Sequence, residues 1–375
     1  MVYDAVIIGA GPSGAHLSCL LARSGMRVAL VDQCAFPRDK LCGGMLTYKT
    51  LKALKALSGY YPKGSLLRAD VKRAHVFYED SPALSLRLLS STKVVRRYKF
   101  DTELVRTSES LGTQTYYGSA LSVIDFKAKE VYLRNGSALR YARLIGADGA
   151  RSRVRRLAGL PHSELGFCME VHLPWEAIKD TSRLQEGGIE IYYGKYAAGY
   201  AWAFPSPDSV AVGVGSLTNE ISESDILGFF HAFLNQIAIS TGVRPHGAYI
   251  PSGHGVTLGS SSHDVLLIGD AAGLIDPFTG EGIYYALMSA EAAASAVLSG
   301  QDVYGEYVRR MRPAVESIRE AVPIRNRLYA PAALESAIST LRSCPQYCEQ
   351  LIDEVILRGQ KGYLQAYEEL AWLAR

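Results

Sequence analysis

The feature that most constrains this fold is a glycine-rich turn between an apolar strand and a helix at the start of the chain. Residues 3–8 read YDAVII, which is typical of a buried parallel strand, and the run GAGPSG follows at once. Gly9, Gly11 and Gly14 form GxGxxG, and a helix is predicted from Ser13 onward. This context predicts the first β-α-β unit of a dinucleotide-binding fold.

An acidic residue completes this arrangement. A second apolar strand is predicted over residues 27–31 and ends in Asp32, 18 residues after Gly14. The helix start offers N–H groups and partial positive charge to a pyrophosphate. A carboxylate at the second strand accepts from ribose hydroxyls and repels a 2′-phosphate, which favours FAD or NAD over NADP. A plain structural turn is the alternative. The residues predicted to bind the dinucleotide here are Gly9, Gly11, Pro12, Ser13, Gly14, Asp32 and Gln33.

A second glycine-acid turn, late in the chain, favours FAD. Residues 265–268 predict another buried strand that ends in Gly269-Asp270, and an Ala-rich helix is predicted over 283–298. A strand-terminal Asp can bind the ribityl hydroxyls of FAD, and the helix start directs positive charge at the pyrimidine edge of a flavin. A third predicted strand ends at Asp148-Gly149. The cofactor residues predicted from these segments are Asp148, Gly269, Asp270, Gly280, Gly282 and Ile283.

The stretch DKLCGGML, residues 39–46, places a thiol beside two glycines. Arg38 and Lys40 add positive potential, and the glycine at Gly43 lets the backbone approach a flat or bulky group. Cys42 is either a small buried hydrophobe or a thiol that faces a reactive centre. The residues alone leave both interpretations open.

The segment GYAWAFP, residues 199–205, carries alternating aromatic side chains. Strand period two puts Tyr200, Trp202 and Phe204 on one face, where they can form an apolar wall against a flavin or a hydrocarbon chain. A core stripe of a sheet is the alternative. Neighbouring short strand patterns predict a mostly antiparallel sheet inserted between the cofactor segments.

Taken together, these motifs resemble a known superfamily. GAGPSG, the middle Asp-Gly and GDAAG with PFTGEG resemble the para-hydroxybenzoate hydroxylase-type FAD-dependent oxidoreductases. Within that superfamily, FPRDKLCGGM, RRYKFD and GYAWAFP resemble the geranylgeranyl reductase family, over about residues 1–300. The last part of the chain matches only as generic helices.

The resemblance implies roles for further residues. Cys42 and Gly43 are expected to contact the isoalloxazine ring, Arg97 to meet the FAD pyrophosphate, and Ala120, near the end of a strand, to pack the adenine. Proton delivery or redox exchange by Cys42 is the less favoured interpretation of that thiol. Ser206 stands where the family usually has Lys after Phe-Pro, so no charged group is carried over to that position.

We therefore predict an α/β fold in three parts. A Rossmann-like FAD-binding domain of the glutathione reductase type is interleaved with a mostly antiparallel substrate-binding sheet, and a C-terminal helical segment follows. The predicted ranges are 1–70, 96–160 and 256–305 for the FAD-binding domain, 71–95 and 161–255 for the substrate domain, and 306–375 for the helical segment.

The leading function from the sequence is an FAD-dependent oxidoreductase that reduces isolated C=C bonds of a prenyl chain on a lipid or isoprenoid. Tyr200, Trp202 and Phe204 are the predicted substrate contacts. Because no second GxGxxG follows, electrons are expected from transient NAD(P)H contact or from a ferredoxin-like donor protein. The alternatives are a flavin-dependent monooxygenase or halogenase, and a non-enzymatic flavin electron carrier or prenyl-lipid binding protein.

The composition of the chain limits the classes of binding partner that are expected. The net charge of +3 is too small to favour nucleic acid, and the six cysteines show no zinc spacing, so neither a metal nor a nucleic-acid partner is expected. A cytoplasmic location is expected because a strand begins at Tyr3 with no signal peptide before it. An Arg-rich segment, residues 309–327, leaves peripheral membrane contact open beside the reading as a solvated helix face.

Overall fold

Two large sheets and a set of helices form this computed structural model, which describes residues 1–58, 70–194, 199–239 and 243–373. The strands are β1 (Val2–Ile8), β2 (Val28–Val31), β3 (Met45–Leu46), β4 (Arg73–Tyr78), β5 (Ser81–Arg87), β6 (Lys93–Val94), β7 (Gln114–Tyr116), β8 (Leu121–Asp125), β9 (Glu130–Leu133), β10 (Ala138–Gly146), β11 (Leu165–Leu173), β12 (Gly188–Tyr193), β13 (Gly199–Pro205), β14 (Val210–Leu217), β15 (His246–Pro251), β16 (Gly259–Ser260) and β17 (Val265–Leu267). The helices are α1 (Pro12–Arg23), α2 (Tyr48–Ser58), α3 (Arg97–Ser110), α4 (Arg153–Leu157), α5 (Ser182–Gln185), α6 (Glu223–Ile237), α7 (Ile283–Ser299), α8 (Val303–Leu328), α9 (Pro331–Ser343), α10 (Pro345–Ile352) and α11 (Tyr363–Leu373).

The first sheet has a parallel centre in the order β17-β10-β1-β2-β7. The central strands β1 and β2 are nearly continuous apolar runs, and α1 packs against both of them. Ile7, for example, pairs with Ile145 and Leu30 and is fully buried. β16 and the β8-β9 hairpin extend the sheet with antiparallel pairs. The predicted Rossmann-like architecture is confirmed.

The second sheet runs β15-β11-β14-β13-β12-β4-β5 within the described residues. All its neighbours pair antiparallel except β4 and β12, which are parallel. The prediction of a mostly antiparallel sheet is therefore confirmed, with this exception. β4 and β12 are separated by a long excursion of the chain through the first sheet, so no hairpin fixes their relative direction. α6 covers one face, where Phe230 and Phe233 are buried.

The C-terminal helices pack beside this second sheet. α9 and α10 contact β5, and α11 contacts α8. Glu349 of α10 accepts from Arg87 of β5 through both the backbone N–H, at 2.9 Å, and the guanidinium. Among the described helices none is long and apolar enough to cross a bilayer. All six cysteines, which the described ranges include, are free thiols.

Candidate functional site

The turn between β1 and α1 has the shape that a dinucleotide phosphate needs. A Cβ on Gly14 would lie 1.9 Å from the carbonyl oxygen of Gly9, so only glycine fits there. Beside Gly11 the nearest atom to a Cβ position is Arg38 Nη2, at 3.9 Å, which leaves room along the backbone. No side chain of the described residues caps the N–H groups at the start of α1, where Pro12 and Ser13 lie. These N–H groups can therefore bind an anion.

Asp32 lies at the carboxyl end of β2, as predicted, and is fixed by backbone donors. Its Oδ2 accepts from Ala10 N at 2.8 Å and its Oδ1 from Cys34 N at 2.9 Å. Gln33 is exposed. Ser119 N donates to the Asp32 carbonyl at 3.3 Å, which brings Ala120 close to this strand end. Ala120 lies in the connection between β7 and β8, directly before β8 begins, and its packing against the adenine stays a prediction.

Arg38 is a candidate phosphate ligand that the motif matching did not single out. Its guanidinium lies between two carboxylates, 3.6 Å from Asp32 Oδ2 and 3.6 Å from Asp101 Oδ2, and stacks 4.9 Å from the centre of the Phe36 ring. Its Nε is buried and has no hydrogen-bond partner among the described residues. An unpaired buried donor beside Gly11 is what an anionic cofactor would satisfy.

Arg97 is buried beside the Cys-Gly-Gly loop, where its charge interacts with Cys42. Its Nε and Nη2 donate to the two oxygens of Asp101 at 2.8 and 2.9 Å. Burial opposes its charge, but Asp101 and then Cys42 offset the burial and raise the pKa of Arg97. A contact between Arg97 and the pyrophosphate stays a prediction.

The carboxylate of Asp148 accepts hydrogen bonds from groups of the protein itself. It accepts from Ser152 Oγ at 2.5 Å and from the backbone N–H groups of Arg153 and Val154 at 2.7 and 3.1 Å, so it caps the start of α4. Burial raises its pKa, and these hydrogen bonds oppose the rise. Only its backbone, which lies 2.8 Å from a Cβ position on Gly9, adjoins the dinucleotide turn. We therefore expect any cofactor contact of Asp148 to come from the backbone.

The late glycine-acid turn meets the first turn in space. A Cβ on Gly269 would lie 2.9 Å from Ser13 Oγ, so the end of β17 adjoins the start of α1. Asp270 Oδ1 lies 3.1 Å from a Cβ position on Gly282, the residue before α7. α7 begins at Ile283 without a side-chain cap among the described residues. The structure thus brings together both predicted halves of the cofactor site.

The Cys-Gly-Gly loop packs tightly against the protein itself. A Cβ on Gly43 would lie 2.5 Å from Phe204 Cδ2, and Gly44 has φ +75° and faces the carbonyl of Val95. Cys42 Sγ accepts from Gly44 N at 3.4 Å. The first flat group that the loop approaches is therefore an aromatic ring of β13, and an approach to the flavin stays a prediction.

A largely apolar cavity of about 450 Å³ adjoins this loop. Tyr200, Trp202 and Phe204 all line it, although Trp202 and Phe204 are only 6% and 8% exposed. They act as pocket wall and sheet core at once, so the two interpretations of this stripe are not alternatives. The loop Cys42–Gly44 and the turn holding Gly280, Gly282 and Ile283 also line it. Aliphatic walls come from the second sheet and the C-terminal helices, with Leu84, Leu86, Leu88, Ile189, Ile191, Leu334, Ile338, Leu341, Ile352, Ile356 and Leu370.

Two buried polar groups near the cavity were missed by sequence reasoning. Glu170 of β11 is 2% exposed and accepts from Cys42 N and Trp202 Nε1, each at 3.0 Å. Lys49 Nζ lies 3.0 Å from Glu281 Oε2, while Glu281 Oε1 accepts from Thr47 and Thr50. No sequence motif marks either group; strand alternation alone could have placed Glu170 on the inner face of its strand.

Comparison with known proteins agrees with this geometry. Residues 2–173 match the family described as FAD binding domain. The chain is 31% identical to a menaquinone reductase of Mycolicibacterium smegmatis over 79% of this chain and 76% of the relative. It is 27% identical to a geranylgeranyl diphosphate reductase of Rhodobacter capsulatus over 80% of this chain and 76% of the relative.

Solved structures share the fold. A geranylgeranyl bacteriochlorophyll reductase-like protein from Thermoplasma acidophilum has a TM-score of 0.77 and 21% identity over 99% of both chains. A flavin-dependent brominase has a TM-score of 0.77 and 17% identity, covering 100% of this chain and 97% of the brominase.

Fold and site together define an FAD-dependent oxidoreductase. Within that class the chain belongs to the geranylgeranyl reductase family, as the sequence motifs predicted.

Proposed function

We propose that this protein reduces isolated C=C bonds of a prenyl chain carried by a lipid or isoprenoid. The cavity is the observation that carries the proposal. It is lined both by the predicted flavin-side loop, Cys42–Gly44, and by aliphatic side chains of β5 and the C-terminal helices. A flexible hydrocarbon chain fits such a lining, whereas a small polar substrate would leave most of it uncovered.

The residues of the chain have separable tasks in this proposal. FAD, when bound, supplies a hydride from its N5 atom. Trp202 and Phe204 present apolar faces that hold the alkene and exclude water. The predicted substrate contact of Tyr200 is its ring, because its hydroxyl donates to the Thr279 carbonyl at 2.5 Å.

The names of relatives support the substrate class. One is called a geranylgeranyl diphosphate reductase and another a menaquinone reductase, and both cover about four fifths of this chain. The electron source is either NAD(P)H in transient contact or a ferredoxin-like protein. Contact with a membrane surface, where lipid substrates reside, is part of the same proposal.

A direct test measures the alkene step alone. The FAD-loaded protein is reduced under anaerobic conditions and mixed with a geranylgeranyl lipid, and flavin reoxidation is followed by absorbance. The expected result is substrate-dependent reoxidation and a product that gains two hydrogen atoms per reduced bond. Reoxidation without hydrogenated product, or none at all with any prenyl lipid, would overturn the proposal.

A halogenase or monooxygenase is the second candidate because the brominase shares the fold. A halogenase needs a lysine poised between flavin and substrate. Lys49 is buried, but it is paired with Glu281 and is not among the described residues that line the cavity. Substrate-dependent O₂ consumption with a brominated or hydroxylated product would favour this candidate. A carrier or lipid-binding protein would turn over none of these substrates.

A further inference from the structure

Glu170 lies at a position that no sequence motif marks as functional. It lies in one cross-strand row with Gly213 of β14 and Trp202 of β13. A Cβ on Gly213 would lie 2.3 Å from the indole atom Cζ2, so the missing side chain lets the indole lie flat across β14. The indole Nε1–H therefore reaches Glu170 Oε2 at 3.0 Å.

The other carboxylate oxygen of Glu170 holds the loop. Cys42 N–H donates to Oε1 at 3.0 Å, across 128 residues of sequence. Two N–H donors from two separate walls of the cavity thus converge on one buried side chain. Glu170 itself is not among the described residues that line the cavity, so it acts from behind both walls.

We propose that Glu170 is a positioning residue that fixes the Cys42–Gly44 loop relative to Trp202, and so sets the geometry of the end of the cavity where the alkene reacts. Its kinetic consequence rests on the proposed function, but its structural consequence does not. A carboxylate suits this task because it offers an acceptor to each donor, whereas an amide offers an oxygen to one and opposes the other with its own N–H groups.

We call the two hydrogen bonds from Cys42 N–H and Trp202 Nε1–H to Glu170 the clamp. The electrostatic surroundings make this clamp dependent on pH. Burial raises the pKa of Glu170 to about 7, although the Cys42 and Trp202 hydrogen bonds and the positive charges of Arg97 and Arg96 oppose the rise. On the same strand His172 Nε2 lies 3.5 Å from Oε1, and burial lowers the pKa of His172 to about 4, so His172 is neutral near pH 7. The thiol of Cys168 interacts with Glu170, and burial raises its pKa to about 12. The charge that changes near neutral pH is therefore that of Glu170, and the two-acceptor state is present above pH 7 and lost below it.

The first experiment measures amide hydrogen exchange in peptides that cover residues 41–45, using the FAD-loaded protein at pH 8. Glu170→Gln should speed exchange at the Cys42 amide about tenfold or more, as expected when a buried hydrogen bond is lost. Glu190→Gln is the matched control, because Glu190 is also buried in the same sheet but accepts from Tyr192 on the other face. Unchanged exchange in folded Glu170→Gln would overturn the clamp.

The second experiment follows flavin reoxidation by a geranylgeranyl lipid across pH. The wild type should lose rate as pH falls through about 7, and Glu170→Gln should lack this step while its reoxidation is slower above it. In a Trp202→Phe background the Glu170→Gln penalty should shrink, because the amide oxygen is then free for Cys42. Equal penalties in both backgrounds would contradict the proposal.

The two readouts separate the two hypotheses. Faster exchange in Glu170→Gln together with no reoxidation of the wild type by any prenyl lipid would leave the clamp standing and overturn the proposed function. If Glu170→Gln does not fold, Trp202→Phe alone decides. Removing one N–H from the carboxylate should move to higher pH the point at which the reoxidation rate and the protection of the Cys42 amide fall, and no shift in either would overturn the clamp.

Discussion

At the scale of single residues, the site depends on positions where a side chain has no space. Gly43 lies against the Phe204 ring and Gly44 against the Val95 backbone, so the path of the loop leaves no space for a side chain at either position. That path leaves the Cys42 side chain on the cavity wall. The thiol is therefore placed by the packing of the two glycines, and it also interacts with the buried Arg97 guanidinium of α3.

Gly43→Ala should displace this loop. Its new Cβ would fall 2.5 Å from Phe204 Cδ2, so either the ring or the loop must move. We expect FAD to stay bound and alkene reduction to fall by about tenfold or more, since small misplacements at a site cost that much or more. Gly228→Ala, at an exposed position of α6 where nothing lies within 4 Å of the Cβ position, is the control and should leave the rate unchanged. Equal rates in both variants would contradict this reading of the loop.

Substitutions at Cys42 distinguish a thiol that only packs from one that delivers a proton. If the thiol only packs, Cys42→Ala should retain FAD and most activity, because one small group is removed. If it delivers the proton, Cys42→Ser should reduce its flavin normally yet lose alkene reduction by about 10²-fold, as for a positioned general acid. We expect the first result. Stopped-flow measurement of flavin reduction and of reoxidation by substrate, each on its own, decides between them.

Asp32→Ala should weaken FAD binding. The carboxylate fixes the turn through Ala10 N and Cys34 N and is predicted to accept from ribose hydroxyls, so each lost hydrogen bond should cost about 1–3 kcal/mol. The measurement is FAD affinity by titration of the apoprotein. Asp4→Ala, which removes the acceptor of Arg27 N in the same sheet, is the control and should leave the affinity unchanged. A normal affinity in Asp32→Ala would contradict the ribose role.

At the scale of elements, the sequence predicts those helices and strands whose signals lie within one short segment of the chain. β1, α1 and β2 were readable because strand period, glycine spacing and an acid lie within one short segment. The parallel pairing of β4 with β12 could not be read, because it joins segments separated by most of the first sheet. Glu170 was missed for the same reason: its partners, Cys42 and Trp202, reach it only through the tertiary fold. Arg38 belonged to a recognised stretch, but only its position between Asp32 and Asp101 identifies what it can bind.

A substitution in α9 tests whether a prenyl chain reaches the C-terminal helices. Leu334 of α9 is partly exposed at its surface and lines the cavity, so Leu334→Trp should shorten the apolar space without unfolding the protein. Turnover of a long prenyl chain should fall more than turnover of a short one, by about tenfold in the ratio. Leu364→Trp, at a 46% exposed position of α11 that is not among the cavity-lining residues, is the control. A ratio of kcat/KM values that is unchanged in Leu334→Trp would show that the chain does not reach α9.

At the scale of the whole molecule, buried ionisable groups link stability to pH. His16 on α1 is fully buried, and neither ring nitrogen has a hydrogen-bond partner among the described residues. Burial lowers its pKa from 6.5 to about 4. A lowered pKa means that the unfolded chain binds this proton first as pH falls, so stability is present above pH 6.5 and is lost toward pH 4.

His16→Leu should therefore flatten the acid side of the stability curve. The free energy of unfolding of the FAD-loaded wild type should drop by on the order of 2–3 kcal/mol between pH 6.5 and 4 through this group, and the variant should lack that share. Denaturant titrations at several pH values measure it. His254→Gln is the control, because His254 is exposed and its removal should leave the buried group's effect intact. An identical pH dependence in wild type and His16→Leu would contradict it.

The walls of the cavity are completed in a fixed order while the chain is being translated. Its walls come from β5, from β12 and β13, and last from α9 to α11, so the leucines of β5 have no covering partner while the ribosome is still making the helices. During that interval an apolar sheet face of the nascent chain meets water, which is the kind of surface that chaperones bind and that promotes aggregation. Slow translation after residue 300 should therefore lower the yield of folded protein more than slow translation before it.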